Sequence, residues 1–390
     1  MKDDTIVGLA EAGLSSGSDC VASLLQMVRD LSEQLFVNKD EAALEAAIRA
    51  GYDAVGLCPA GHPDRAETLI ALGTSLYLQC QRTGDIAALD QRILLKQESL
   101  DLCPPGNPNH IDIVKSLGAS WHLRCQMTDD IGSLDQCILL EQECLDLCPP
   151  GTPDCADTLE SLGALLHLQC QITGDQGSLD QCVLLLQESL DLCLPGDPNH
   201  AHALRSLGAS LYLQCQMTGD NSSLDQCILL LQESLDLCPP GDPNRAHTLR
   251  SLGAPLYLQF QRTSDIASLD QSILLQKESL DLCPPGDPSC AHTLRGLGAS
   301  LRLRCQKTGD MSSLDQCIQL EKEFLDLCPP GDPNRAHTLK SLSASLYLRC
   351  HKTGDIGSLD LLRPVLQLVE RGEGKVSGEV RLQLGGEVRS

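Results

Sequence analysis

The chain has 390 residues, 42% of them hydrophobic, with 29 basic against 53 acidic side chains and a formal net charge of −24. Such an acidic balance gives no uniform positive field for phosphate backbones or anionic membranes, so neither nucleic acid nor a membrane is an expected partner. No apolar run approaches the ~18 residues of a membrane span, and with one Trp, five Tyr and three Phe the chain has few aromatic side chains for a conventional core.

Residues 1–16 read as a flexible leader. The opening Met-Lys-Asp-Asp-Thr-Ile-Val-Gly-Leu-Ala-Glu lacks the uninterrupted apolar core of a signal peptide, so a cytoplasmic location is expected. The 21 cysteines then stay as thiols. Gly13-Leu-Ser15-Ser-Gly17 matches the nucleophile-elbow pattern formally, but no strand precedes it and no sheet follows to carry its partners. No catalytic residue is assigned, and the chain is expected not to be an enzyme.

From residue 17 onward a repeat takes over. Cysteines 58, 103, 148, 193, 238, 283 and 328 each open a Cys-Pro-Pro-Gly-x-Pro block or a near copy of it, and every interval is 45 residues. Periods of this size mark arrays whose units bury their apolar faces against neighbours. The register predicts units near 17–61, 62–106, 107–151, 152–196, 197–241, 242–286, 287–331 and 332–365, followed by a glycine-rich tail over 366–390.

Residues 197–241 show how one unit folds. Asp197 is a candidate N-cap and Pro198 suits the first helical position, where its missing N–H costs nothing. Leu204, Leu207, Leu211 and Cys215 follow at steps of 3, 4 and 4, one stripe of helix A. Thr218-Gly219-Asp220 breaks that helix, and Asp220 or a nearby serine caps helix B. Its stripe is Leu224, Ile228, Leu231 and Leu235. Pro239 and Pro240 stop it. Two units depart from the pattern. Pro255 falls inside a helix A, where it removes a hydrogen bond and predicts a bend, and Leu359–Pro364 interrupts the last helix B.

The unit resembles the tetratricopeptide repeat, usually about 34 residues long. Leu207-Gly208 and Leu211 stand where that family has Leu-Gly-x-x-Tyr, and Cys227, Leu231, Ser234 and Pro239 follow its Ala-Phe-Ala-Pro spacing. Leu204 replaces its tryptophan, and the unit carries 11 extra residues. The corner Pro59-Ala-Gly-His62-Pro63-Asp64 is similar to the Pro-Pro-Gly-His-Pro-Asp of long repeats in mushroom-forming fungi. The resemblance implies an all-α, right-handed α-α superhelix of about eight helix–turn–helix repeats. It further implies a protein-interaction scaffold binding an extended peptide or partner helix in a groove. In the fungal group such arrays often precede a caspase-like (CHAT) peptidase domain. A regulatory or sensor half of such a protein is therefore the alternative, since residues after 360 include no His or Cys.

The family's ligand-facing side of helix A gives four columns. The first reads Glu67, Asp112, Asp157, His202, His247, His292, His337 and the second Ile70, Lys115, Glu160, Arg205, Arg250, Arg295, Lys340. The third is Thr74 and then alanines, and the fourth reads Tyr77, His122, His167, Tyr212, Tyr257, Arg302, Tyr347. From His202 onward the columns combine His, Arg or Lys, and mostly Tyr, chemistry suited to an acidic peptide. Tandem duplication alone also produces such columns, because residues 182–199 and 227–244 differ at only 2 of 18 positions. Column mates are expected about 8–10 Å apart. Two ligands of one ion each need about 2 Å to it, so neither metal nor cofactor is expected. The cysteines fall in columns of their own and read as small core hydrophobes, with Cys144, Cys148 and Cys155 the one local cluster.

Overall fold

The computed structural model describes residues 17–38, 41–193, 197, 199–284, 287–327 and 333–354. The leader, most of Gly13–Gly17, the Leu359–Pro364 interruption and the tail lie outside them. Every regular element among the described residues is an α-helix, and the helices alternate as the repeat predicts.

The chain divides into two compact units, Met1–Cys193 and Leu194–Ser390. The first holds α1 (Gly17–Asn38), α2 (Glu41–Leu57), α3 (Arg65–Thr83), α4 (Ile86–Leu102), α5 (His110–Thr128), α6 (Ile131–Leu147), α7 (Pro153–Thr173) and α8 (Gln176–Leu192). The second holds α9 (His200–Thr218), α10 (Asn221–Asp236), α11 (Arg245–Thr263), α12 (Ile266–Asp281), α13 (Pro288–Thr308), α14 (Met311–Leu327) and α15 (Pro333–Thr353). Odd-numbered helices are the A helices and even-numbered ones the B helices. Within each unit, consecutive helices pack as hairpins, and A helices of successive hairpins also touch, as α9 does α11 and α11 does α13. In the second unit the A helices α9, α11, α13 and α15 thus lie side by side in succession.

Local sequence accounts for the hairpin. The Gly219 backbone turns left-handed at φ 78°, and its N–H reaches the Cys215 carbonyl at 2.9 Å to close α9. Asp220 then caps α10, its carboxylate accepting from the N–H groups of Ser222 (3.0 Å) and Ser223 (3.1 Å). Hydrogen bonds from the Ser222 hydroxyl first, and then from these N–H groups and the Ser223 hydroxyl, hold the Asp220 carboxyl below the usual range. Leu204, Leu207, Leu211 and Cys215 are buried, as are Leu224, Ile228 and Leu231. Between the two helices Ser234 donates to the Ala201 carbonyl at 2.7 Å.

The start of α9 corrects the expected cap. The helix begins at His200 with Asn199 at its N-cap, and Pro198 lies outside the described residues. Asp197 instead accepts from the Asn199 N–H at 2.8 Å, closing a side-chain turn ahead of the helix. In α7, α13 and α15 a proline does open the helix, as Pro153, Pro288 and Pro333, and at Pro153 the Thr152 hydroxyl supplies the cap, accepting from the Cys155 N–H. The proline corners are held from the next helix. Arg245 donates to the Cys238 carbonyl (2.7 Å) and to Glu278 (2.7 Å), and His110 bridges the Cys103 carbonyl and Glu143 in the same way.

No described cysteine forms a disulfide. Cys137, Cys227 and Cys317 sit early in B helices, and burial pushes each thiol up to about 12. Cys137 and Cys317 face the helix-A glycines, donating to the carbonyls of Gly118 (3.4 Å) and Gly298 (3.5 Å). In the hairpin altered at Pro255, Ser272 makes the same contact to Gly253 at 2.7 Å. Helix α11 runs unbroken through Pro255, which is buried.

Candidate functional site

The A helices of the second unit, α9, α11, α13 and α15, carry the cationic columns. His202, His247, His292 and His337 all reach the surface of this face. The second column grades from buried to open: Arg205 is buried, Arg250 is intermediate, and Arg295 and Lys340 are exposed. Tyr212, Tyr257, Arg302 and Tyr347 are intermediate, and Tyr347 lies beside His351 with ring centroids 6.4 Å apart.

Neighbouring A helices bring these groups within electrostatic reach of one another. His247 is pushed down to about 4 by partial desolvation and by Arg205, Arg250 and His202. Desolvation with Arg295 and Arg250 lowers His292. His337 is lowered by desolvation and by Arg295, Lys340, Arg302 and His292. His247, His292 and His337 therefore stay neutral near pH 7, and the arginines and Lys340 carry the charge around them. Arg295 donates to His292 Nδ1 at 2.9 Å, a bond that requires the neutral ring. Neither Arg250, Arg295 nor Lys340 forms an ion pair with a described carboxylate.

Two members of the predicted set are drawn out of this array. Arg205 is 5% exposed, so its guanidinium belongs to the helix stack. Arg302 turns between hairpins: its Nη1 donates to Glu321 (2.7 Å), Ser341 (2.6 Å) and Ser345 (3.2 Å). Glu321, only 2% exposed, also accepts from Ser341 at 2.5 Å. The groups that remain open on the face are the four histidines, Arg250, Arg295 and Lys340.

The first unit differs in sign. Its first column presents Glu67 and Asp112 where the second unit has histidines, and Glu67 pairs with Arg29. The sequence reading of helix A also passed over a helix-B column, Lys96, Glu141, Leu186, Leu231, Gln276 and Glu321. Each of these residues faces the helix-A glycine of its own hairpin. The 45-residue register shows it as plainly as the others, yet only contact with the neighbouring helix reveals that Lys96 and Glu321 are buried and Glu141 half-buried.

No protein-family model and no curated protein matches the chain. Among solved structures, it is similar to the C-terminal part of a TPR repeat-containing protein from Cytophaga hutchinsonii, with a TM-score of 0.50 and 12% identity over 80% of this chain and 98% of that one. It is also similar to a signal-transduction ATPase with a tetratricopeptide repeat sensor from Pyrococcus horikoshii, with a TM-score of 0.49 and 12% identity over 92% of this chain and 53% of that one. The first likeness shows the fold to be that of a TPR α-solenoid. Among the described residues no helix is long and apolar enough to cross a membrane, and no group of three His, Cys, Asp or Glu side chains is placed to hold a metal ion.

Proposed function

We propose that the chain is a non-enzymatic protein-interaction scaffold whose second unit captures an extended acidic peptide along its A-helix face. One observation carries the reading: Arg250, Arg295 and Lys340 stand on successive A helices, open to solvent or partly so, without a carboxylate partner among the described residues. In a chain of net charge −24, unpaired cations aligned on one face are an attractive field for an anionic strand. Guanidinium groups of Arg250 and Arg295 can take carboxylates in a two-pronged geometry, and the half-buried rings of Tyr257 and Tyr347 add rigid contact area.

A fluorescent glutamate-rich decapeptide tests the proposal. Binding is expected, weakening with salt as screening increases. The triple replacement Arg250→Glu, Arg295→Glu and Lys340→Glu should abolish it while the helical circular-dichroism spectrum stays unchanged. Retained binding by that variant overturns the acidic-peptide reading. Affinity purification at low and high salt then identifies the natural partner. A second reading, the sensor half of a caspase-like peptidase system, rests on the His62-Pro63-Asp64 corner alone, and a physical partner bearing a His/Cys dyad would favour it.

A further inference from the structure

The first unit holds two buried cations that the cationic face of the second does not involve. Lys96 on α4 is 4% exposed and Arg92, one turn earlier, is 6% exposed. Arg92 is largely accommodated: its guanidinium lies over the Tyr77 ring, 4.0 Å from the centroid, and its Nη2 donates to the Ser116 carbonyl at 3.2 Å, leaving the buried Nε without a partner among the described residues. Lys96 is not. Its ammonium makes no hydrogen bond or ion pair with any described residue, and Asp112 is the one carboxylate near enough to favour its charge. In α8 and α10 the same column position holds Leu186 and Leu231.

Lys96 lines an open cleft of about 500 Å³ walled by α1, α3 and α5. Its apolar walls are Val28, Ile70 and Ile113, with Thr74 and Ser116 between them. A largely desolvated ammonium without a hydrogen-bonded counter-ion is costly, and truncating it is expected to stabilise a protein that has no use for it. The cleft volume lies in the range of small-molecule sites, which combine apolar walls with a few placed polar groups.

We propose that this cleft binds a small monocarboxylate with an apolar body, its carboxylate on the Lys96 ammonium and its hydrocarbon against Val28, Ile70 and Ile113. Burial and Arg92 together push Lys96 down to about 8, so a bound anion would restore its full charge. The carboxylates of Glu67 and Asp112 at the cleft select against polyanions such as nucleotides, whose extra charge they repel.

Hexanoate is the probe, with acetate and hexylamine as comparators, on the full-length protein. Hexanoate should raise the thermal midpoint and slow acylation of Lys96 by an amine-reactive ester severalfold, as read by peptide mass spectrometry. Acetate should do much less and hexylamine neither. Lys96→Met should raise the ligand-free midpoint and remove the hexanoate effect. Ile70→Asp, which leaves Lys96 in place, should remove protection of Lys96. Hexanoate without effect on either readout overturns the proposal. So does a thermal effect that survives Lys96→Met, or one that acetate matches in full.

Discussion

Gly208 on α9 faces Leu231 on α10 so closely that a methyl group on its Cα would lie 2.8 Å from Leu231 Cγ. Gly163 meets Leu186 at the same distance, whereas at Gly118 the nearest atom would be Glu141 Oε1 at 3.6 Å. Alanine gains about 1 kcal/mol over glycine in a helix. Overpacking costs about 1–3 kcal/mol, so contact decides the sign. Gly208→Ala should lower stability and Gly118→Ala should be neutral or stabilising. Denaturant midpoints check this, and a shared sign for both variants would refute the contact as the cause.

The pair of half-buried Arg302 and buried Glu321 gives a second prediction. Removing one member leaves an unpaired buried charge, so Arg302→Tyr alone should cost about 3–5 kcal/mol. Adding Glu321→Leu reproduces the Tyr212 and Leu231 combination of α9 and α10, and should recover most of the loss. Urea unfolding of the two variants measures the coupling. If the double variant is no more stable than the single one, the pair is not the source of the cost.

How much of this was legible in the sequence follows from the range of each interaction. The leucine stripes, the Gly219 turn and the Asp220 cap depend on residues within a few positions of one another, and the 45-residue register made them visible. The start of α9 was misread because Asp197 suits both a cap and a side-chain turn, and both use the same residue type. Arg302 was misread for a different reason. Its column placed it on the ligand face, but the outcome is set by Glu321 on another helix, 19 residues away. Lys96 was missed because a lone lysine in a polar-looking helix reads as solvated until the opposing glycine and the cleft are seen together.

Pro255 supplies a third prediction. Its counterparts Ser210 and Ser300 donate to the carbonyls four residues earlier, Ser206 (3.1 Å) and Gly296 (3.0 Å), and keep their backbone N–H groups for the helix. Proline offers neither donor. Pro255→Ser should therefore raise stability, by about 1–3 kcal/mol. An unchanged or lower thermal midpoint would show that the surrounding packing, with Phe260 and Ser272 in place of cysteines, has adapted to the proline.

The depressed histidines make peptide capture pH-dependent in a defined direction. His247 lies near 4 in the fold against an ordinary 6.5, so the unfolded chain binds more protons between those values. Its contribution to stability is thus lost as pH falls through that window. A bound acidic peptide reverses the balance, because its carboxylates offset Arg205, Arg250 and His202 and let His247, His292 and His337 protonate. Binding must then take up protons and tighten on acidification from about pH 7.5 to about pH 6, a range in which glutamates stay ionised. Anisotropy titrations of the glutamate-rich peptide across that range should show the affinity rising, with His247→Gln and His337→Gln flattening the slope. An affinity that is constant or falls toward pH 6 would mean that the peptide does not sit over these histidines.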